Sequence, residues 1–597
     1  MIYARKILKA CGLFADTDVK TICRAAVISR KSGDQRAKKL MRVSEEQALR
    51  EEFERLKEEL IVPPCVAACP AGVDAPRYVR ALKAGRFDEA VAVIREKIPF
   101  PFVCADACFA PCEDACAYKQ FGDSIAIRAL KRAAVDRGKD TWKSNKKMAE
   151  PTGKSVAIIG AGPAGLTAAY YLVTLGHRVT VYDGFESPGG TMRYGIPNFR
   201  LPKDRLEKDI QVILELGVDF KAKTVIGKDL PFRALKEQSH AVFIACGAVG
   251  SIRVPVEGAE KENVLWGWDF LKDVSLGKRF DFQGDVLVIG GGNVALDAAR
   301  TARRLGADTV TIVYRRTRQE MPAHPAEIAA AEREGIMIVD SWAPKKLLGD
   351  RAVSGVALVK CFSSDDPVCN YEPVLDEEIT HRLDADYVIL AIGQTPYLRF
   401  LAGQKSIDTT GSVIDVGEED LMTGENGVFA GGDVVTGPKS IISAIAQGRK
   451  AAAAIDRFLG GNGDISETLT EPEKEVLLPE HSLTARDRVQ MPTLRPWEAV
   501  TSFDQVELGL SEDQIRFESE RCLMCDARKF EVVVNPEHCK ECGYCEEVCK
   551  MNAFSRTDVF NARGYRPVAC TSSDWCAGCL KCYFACPDFA IDIVEVR

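Results

Sequence analysis

An α/β protein of four parts is predicted from three observations. Two strings, SVAIIGAGPAGLTAAYYL and GDVLVIGGGNVALDAARTARRLGA, each run from an apolar strand through a glycine turn into a helix, the pattern of a Rossmann-like dinucleotide-binding domain. Eight of the 22 cysteines stand between residues 539 and 586 as two CxxCxxCxxxC ladders. Six more lie between residues 65 and 116 in a stretch that reads as helical. The expected architecture is an N-terminal α-helical iron–sulfur domain, two Rossmann-like domains with the second inserted in the first, and a C-terminal α+β ferredoxin-like domain.

Composition sets the frame. At 597 residues the chain is too long for one core, and roughly three to five domains are expected. Hydrophobic residues at 46% and charged residues at 28% are ordinary for a soluble globular protein. A net charge of −7 gives no reason to expect nucleic acid as a partner. The start, MIYARKILKACGLFADTDVK, has scattered charges and no apolar run of a secretory signal. The longest uncharged run, Ser155 to Gly176, has the length of a membrane span. It holds Gly160, Gly162, Pro163 and Gly165, and so reads as strand, turn and helix, with no membrane span expected. Cysteine-rich and without a signal, the chain is expected to be cytoplasmic and to use its thiols for metal ligation rather than disulfides.

The elements follow in order. Residues 1–60 are charged and read as a helical arm, residues 61–150 as the helical cysteine domain, and 151–283 as the first part of a nucleotide domain. There Gly160 permits the tight turn, Gly162 lets a pyrophosphate approach the backbone beside Ala164, and Gly165 lets helix pack on strand. The next strand, HRVTVYD, ends in Asp183, suited to a ribose hydroxyl. Residues 284–392 repeat the logic with Gly290, Gly292, Asn293 and Ala295. Their second strand ends in Arg315 and Arg316, where an NAD site usually carries an acid. Guanidinium forks match a 2′-phosphate, which favours NADP(H) over NAD(H). AIGQTP, with Gly393, marks the return crossover into residues 393–465. In that return, NGVFAGGDVV holds Gly432 and Asp433, and the helix opening at Ile441 follows. In two-dinucleotide flavoproteins this segment places such an Asp near the flavin ribityl and pyrophosphate, and the helix N-terminus faces the ring. The first site is therefore expected to take FAD.

Residues 466–530 are polar and read as a wrapping linker ending in RCLMC. Residues 531–597 hold the ladders Cys539, Cys542, Cys545, Cys549 and Cys576, Cys579, Cys582, Cys586. In such a ladder three thiolates serve one 4Fe–4S cluster and the fourth Cys reaches across to the other. The first ladder is followed by Lys550 rather than the usual Pro.

PGGTMRYGIPNFRLPK at 188–203, VYRRTRQEMPA at 313–323 and GVFAGGDVV together resemble the glutamate synthase small subunit. They are similar also to the large subunit of the NADH-dependent ferredoxin:NADP oxidoreductase and, more distantly, to dihydropyrimidine dehydrogenase. The resemblance covers residues 61–465. It implies FAD and NAD(P)H domains, with Gly190 and Arg193 of the first string among the cofactor contacts, preceded by a helical domain with two 4Fe–4S clusters. Residues matching the family's cluster ligands are Cys65 and Cys69, then Cys108, Cys112 and Cys116. Two departures stand out. No CxxC precedes Cys65, and Lys131 occupies the place of the family's Glu or Gln ligand. Cys522 and Cys525 of RCLMC are expected to supply the missing pair by folding back to Cys65 and Cys116; an independent small metal site or free thiols are the alternative. Cys69, Cys108 and Cys112 would hold the other cluster with Cys104 as candidate fourth ligand. The four-residue spacing from Cys104 to Cys116 would also suit a buried helix face. Cys11, Cys23, Cys246, Cys361, Cys369 and Cys570 read as structural or incidental.

A nicotinamide gives up electrons as hydride and a cluster takes one at a time, so a flavin between them is required, and no acid–base residue is. The expected function is an NAD(P)H-linked flavin and iron–sulfur oxidoreductase subunit with four 4Fe–4S clusters. Its expected partner is ferredoxin or another redox subunit of a soluble complex, electron bifurcation included. The alternatives are a glutamate synthase small subunit, and a conduit subunit with a silent nicotinamide site.

Overall fold

The computed structural model describes residues 62–362, 374–471, 473, 486–527, 529–549, 551–571, 573, 576 and 578–596. The expected arm over residues 1–60, with Cys11, Cys23, Cys369 and Lys550, lies outside the described residues.

The cysteine-bearing segment is helical: α1 (Pro64–Ala67), α2 (Ala75–Lys83), α3 (Phe87–Arg95), α4 (Pro101–Ala107), α5 (Pro111–Asp114) and α6 (Ile127–Arg137). Prolines open α1, α4 and α5 at their first position, where the missing N–H costs nothing. The four-residue cysteine spacing is not one helix face. The chain leaves the helix at Cys108, which is extended, and turns through Ala110 in the left-handed region before Pro111. A proline ring clashes with a preceding helical turn, so α4 cannot run on into α5.

Two parallel sheets follow. In the first, β1 (Ser155–Ile159) leads through α7 (Pro163–Thr174) to β2 (Arg178–Tyr182), with β3 (Asp219–Lys221) and β4 (Ala241–Ile244) beyond. The second contains β5 (Val264–Trp266), then α8 (Gly267–Ser275), β6 (Asp285–Ile289), α9 (Asn293–Arg304), β7 (Thr309–Tyr314), α10 (Pro325–Arg333) and β8 (Met337–Asp340). An antiparallel three-stranded sheet, β9 (Trp342–Leu348), β10 (Gly355–Phe362) and β11 (Val374–Asp384), precedes β12 (Tyr387–Leu390), which returns to pair with β6. The chain then re-enters the first sheet as β13 (Val428–Ala430), paired with β4, and runs into α11 (Ile441–Phe458). The strand orders are β13-β4-β1-β2-β3 and β5-β12-β6-β7-β8. Each sheet reverses its winding beside the strand that carries its glycine turn, β1 or β6, and in such sheets ligands bind at the carboxyl ends of the strands there.

One continuous core joins the helical segment to the helices on the first sheet. A buried ion pair, Arg95 to Asp209 at 3.2 Å, crosses that junction. The stretch after residue 485 is not featureless: it forms α12 (Glu512–Glu520), opened by a capping box between Ser511 and Gln514. The last segment pairs β14 (Lys529–Val534) with β17 (Ile591–Val596) and β15 (Phe554–Arg556) with β16 (Val568–Cys570), enclosing α13 (Tyr544–Val548) and α14 (Lys581–Ala585). No described helix is long and apolar enough to cross a membrane.

Candidate functional site

A cavity of about 550 Å³ opens at the carboxyl end of β1, within the size range of small-molecule and cofactor sites. Gly160, Gly162, Ala164, Asp183, Gly190, Gly432, Asp433 and Ile441 line it. Gly160 has φ +107, and a Cβ there would lie 2.4 Å from the Ala245 carbonyl. Gly162 faces open space, whereas a Cβ on Gly165 would lie 2.0 Å from the Gly160 carbonyl. These constraints divide the glycine roles: turn, clearance for a ligand, and contact between strand and helix. The Asp183 carboxylate accepts the N–H groups of Ala161 (2.7 Å) and Phe185 (2.8 Å). Burial raises its pKa although these donors oppose the shift. Asp433 is pushed up to about 6 by burial. Ser440 caps α11 by accepting from the Ser443 N–H, and the helix N-terminus at Ile441 meets the cavity with its partial positive charge. Arg193 is not among the residues lining this cavity; its guanidinium donates to the Pro188 carbonyl and to Glu207.

The walls come from more than one part of the chain. Ala107 and Phe109, which flank Cys108, line the cavity from the helical segment, and Asn293 and Val294 line it from the start of α9. The Phe109 ring stacks on His324 at 5.0 Å and 9°, and the His324 N–H donates to Asn293 Oδ1. Trp268 and Lys272 of α8, and Cys246, complete this region. Cys246, read from sequence as incidental, lies in the wall. Phe109 could have been suspected from its place beside a ligand-type cysteine; Trp268 carried no such signal.

At the second turn Gly290 has φ +143, and a Cβ there would lie 2.2 Å from the Ala391 carbonyl, while Gly292 faces open space. Ala295 is fully buried under the turn. Past β7, Arg315 is exposed and Arg316 half-buried, with the Arg316 Nε lacking any hydrogen-bond partner. Nearby Arg318 is engaged by Glu332 at 2.7 Å. Gly393 has φ +137 at the crossover, beside the short pairing of Gln394 and Thr395 with Gly250 and Ser251.

The cysteines fall into groups. Cys65, Cys116, Cys522 and Cys525 line one small pocket. Burial raises the Cys65 thiol first, and Cys522, Cys525 and Cys116 raise it further. The segment carrying Cys522 is clamped by residues that sequence reading passed over. Glu518 and Arg521 form a fully buried pair; Glu518 also accepts from the Ala126 N–H, and Arg521 donates to the Asp123 carbonyl and lies over the Tyr118 ring at 4.4 Å. Arg80 holds Asp526 at 2.7 Å. Cys69, Cys104, Cys108 and Cys112 gather around Lys131 of α6, which is buried. Burial works against the ammonium charge, but Cys108, Cys104, Cys112 and Cys69 hold its pKa above the usual value. In the last segment Cys549 joins Cys576, Cys579 and Cys582 in one pocket, and Cys586 joins Cys539, Cys542 and Cys545 in another. Cys570 lies close enough to Cys576 to raise its pKa, after burial and two nearer thiols. Among the described residues no group of His, Cys, Asp or Glu converges to hold a single metal ion. Thiolates that bind an iron–sulfur cube each take a separate iron, so their spread around small pockets suits that larger group.

Residues 154–448 match the pyridine nucleotide-disulphide oxidoreductase family model, residues 35–142 that of dihydropyrimidine dehydrogenase domain II with its 4Fe-4S cluster, and residues 538–595 the 4Fe-4S dicluster domain. The chain is 36% identical over 505 residues to the NADP(+)-dependent formate dehydrogenase subunit beta of Moorella thermoacetica, covering 78% of this chain and 71% of that one. It is 36% identical to the NADPH-Fe(3+) oxidoreductase subunit beta of Geobacter sulfurreducens over 77% of this chain and 75% of that one. The glutamate synthase [NADPH] small chain of Azospirillum brasilense is 32% identical over 66% of this chain and 86% of its own length. The chain belongs to the glutamate synthase small-chain family. It is an FAD-dependent NAD(P)H oxidoreductase, with iron–sulfur domains on both sides of the flavin and nicotinamide domains.

Proposed function

We propose that the chain is the NADP(H)-linked subunit of a larger redox assembly, binding one FAD and four 4Fe–4S clusters and exchanging electrons with an iron–sulfur or flavin partner. The observation that carries this reading is the shared cavity. Its wall combines a dinucleotide turn, the start of a second dinucleotide helix, and the two residues that flank Cys108. When bound, the flavin exchanges hydride with the nicotinamide and single electrons with iron–sulfur clusters, chemistry that belongs to the cofactors.

The chain's own residues bind, orient and shield. Past the tight turn at Gly160, the residues Gly162, Ala164 and Gly165, with Gly190, would leave backbone N–H groups free for the FAD pyrophosphate, and Asp183 would take the ribose. Gly432, Asp433 and the α11 N-terminus at Ile441 would face the rest of the flavin, where the helix end favours negative charge. Gly290, Gly292, Asn293 and Ala295 would cradle the second dinucleotide, with Gly393 at the crossover. Arg315 and Arg316 would take its 2′-phosphate; the unpartnered Arg316 Nε supports this. Ala107 and Phe109 exclude water between the cavity and Cys108.

The proposed cluster ligands are Cys65, Cys116, Cys522 and Cys525; Cys69, Cys104, Cys108 and Cys112; Cys539, Cys542, Cys545 and Cys586; and Cys549, Cys576, Cys579 and Cys582. In the second set Cys104 replaces the family's Glu or Gln, and the Lys131 ammonium offsets the charge of four thiolates. Both beta-subunit names among the relatives support an assembly with other redox subunits.

The test is anaerobic titration of the purified chain with NADPH and with NADH, followed by flavin absorbance. NADPH is expected to bleach the flavin at lower concentration than NADH. Failure of both would leave the conduit alternative and end this reading.

A further inference from the structure

The two cysteine pockets of the last segment are not equivalent. The pocket of Cys539, Cys542, Cys545 and Cys586 is lined only by residues 539–591, and Cys542 is exposed. The pocket of Cys549, Cys576, Cys579 and Cys582 has one wall residue from far outside the segment, Gln120. Gln120 ends the single turn Ala117–Gln120 that begins directly after Cys116. Tyr118 of the same turn lines the pocket of Cys65, Cys116, Cys522 and Cys525. One turn of chain thus touches two cysteine cages. Met551 reinforces the joint, since it lines the same pocket as Gln120 and packs against the core that contains Tyr118 and Leu523.

Gln120 is 3% exposed, and its Oε1 has no hydrogen-bond partner. A buried amide without a partner is costly and asks for an explanation. Apart from the thiols and Lys581, the pocket is lined by apolar side chains such as Val532, Phe554 and Ile593 that offer an amide nothing. A carboxamide presents donors or an acceptor to the same point by a half turn about its last bond. Sulfurs of a bound iron–sulfur group accept hydrogen bonds, and such bonds help set its reduction potential.

We propose that Gln120 donates a side-chain N–H to a sulfur of the cluster held by Cys549, Cys576, Cys579 and Cys582. It thereby raises that cluster's reduction potential from across the domain joint. The inference rests on the four-cluster reading. The hydrogen bond stabilises the reduced form, which carries one more negative charge, so its loss lowers the midpoint potential. Among the described residues the other cage is lined by none from outside the segment, and its exposed Cys542 marks it as the outward-facing one.

The experiment is a potentiometric titration of the full chain, purified anaerobically and followed by electron paramagnetic resonance, on the parent protein, Gln120→Leu and Gln120→Glu. Iron is measured first. About sixteen iron atoms per chain are expected in all three, four for each of four clusters. Gln120→Leu is expected to lower one midpoint so that the reduced-to-oxidised ratio at fixed potential falls about tenfold, equivalent to about 59 mV for one electron. Gln120→Glu, which brings in a negative acceptor, is expected to lower it further. Cys579→Ser should alter the same signal and leave the others. Parent protein with about twelve iron atoms or fewer overturns the four-cluster reading, and the proposal with it. Full iron with unmoved midpoints in both Gln120 variants overturns the role of Gln120 alone.

Discussion

On the proposed reading, Arg316 is the side chain that sets cofactor choice. Its Nε is buried without a partner, while its neighbour Arg318 is already paired with Glu332. A hydrogen bond to a charged group contributes about 1.5–3 kcal/mol, and every 1.4 kcal/mol is about tenfold in affinity. Arg316→Ala is therefore expected to raise the KM for NADPH by roughly tenfold or more and to leave the KM for NADH nearly unchanged, read by steady-state kinetics with an artificial acceptor. Equal losses for both nucleotides would show that Arg316 supports the fold rather than the phosphate. Residues of this kind can be nominated from the sequence because the chemistry needs them at fixed offsets from a glycine turn. The pairing of Arg193 with Glu207 was not legible, because the string around Arg193 shows only its position and the carboxylate comes from farther along the chain.

Among the elements, α7 and α11 pack closely. A Cβ on Gly448 of α11 would lie 2.4 Å from the Ala164 carbonyl of α7. Mid-helix Gly→Ala normally stabilises by about 0.5–1 kcal/mol, but overpacking a tight contact costs about 1–3 kcal/mol. The clash is expected to win: Gly448→Ala should lower the thermal midpoint and weaken FAD retention, measured by differential scanning fluorimetry and flavin release. A rise in the midpoint would mean that the two helices separate at little cost. Strand, turn and helix were readable at β1–α7 and β6–α9 because local periodicity and glycine placement suffice there. The break between α4 and α5 was not, because equal cysteine spacing masked the effect of Pro111. Nor was α12, whose polar sequence gives no apolar stripe; its burial comes from one charged pair and tertiary contacts.

Across the whole molecule, the decisive contacts join residues about 400 positions apart. The Glu518–Arg521 pair is fully buried against the Ser124 and Ala126 backbone, and removing one partner of such a pair costs about 3–5 kcal/mol. Glu518→Ala is expected to destabilise the chain by that order and to lose iron from the cage that Cys522 completes. Cys522→Ala should remove one cluster, about four of roughly sixteen iron atoms, and leave the last segment's pair spectroscopically intact. No loss of iron in Cys522→Ala would refute the fold-back of this segment. Sequence pattern pointed to Cys522 and Cys525 by motif, but Arg80, Glu518 and Arg521, which hold them in place, are ordinary charged residues until the fold brings them together.

The closure of one pocket by Cys65, Cys116, Cys522 and Cys525 also dictates a schedule. Two of these thiols leave the ribosome roughly 400 residues before the other two, at least 20 seconds at about 5–20 residues per second. On the proposed reading, the first helical segment during that interval holds two thiols of an unfinished cage. Both parallel sheets must be synthesised before it can be completed. A nascent chain stopped anywhere before residue 522 would therefore mature with one N-terminal site unfilled, however well its nucleotide domains had folded.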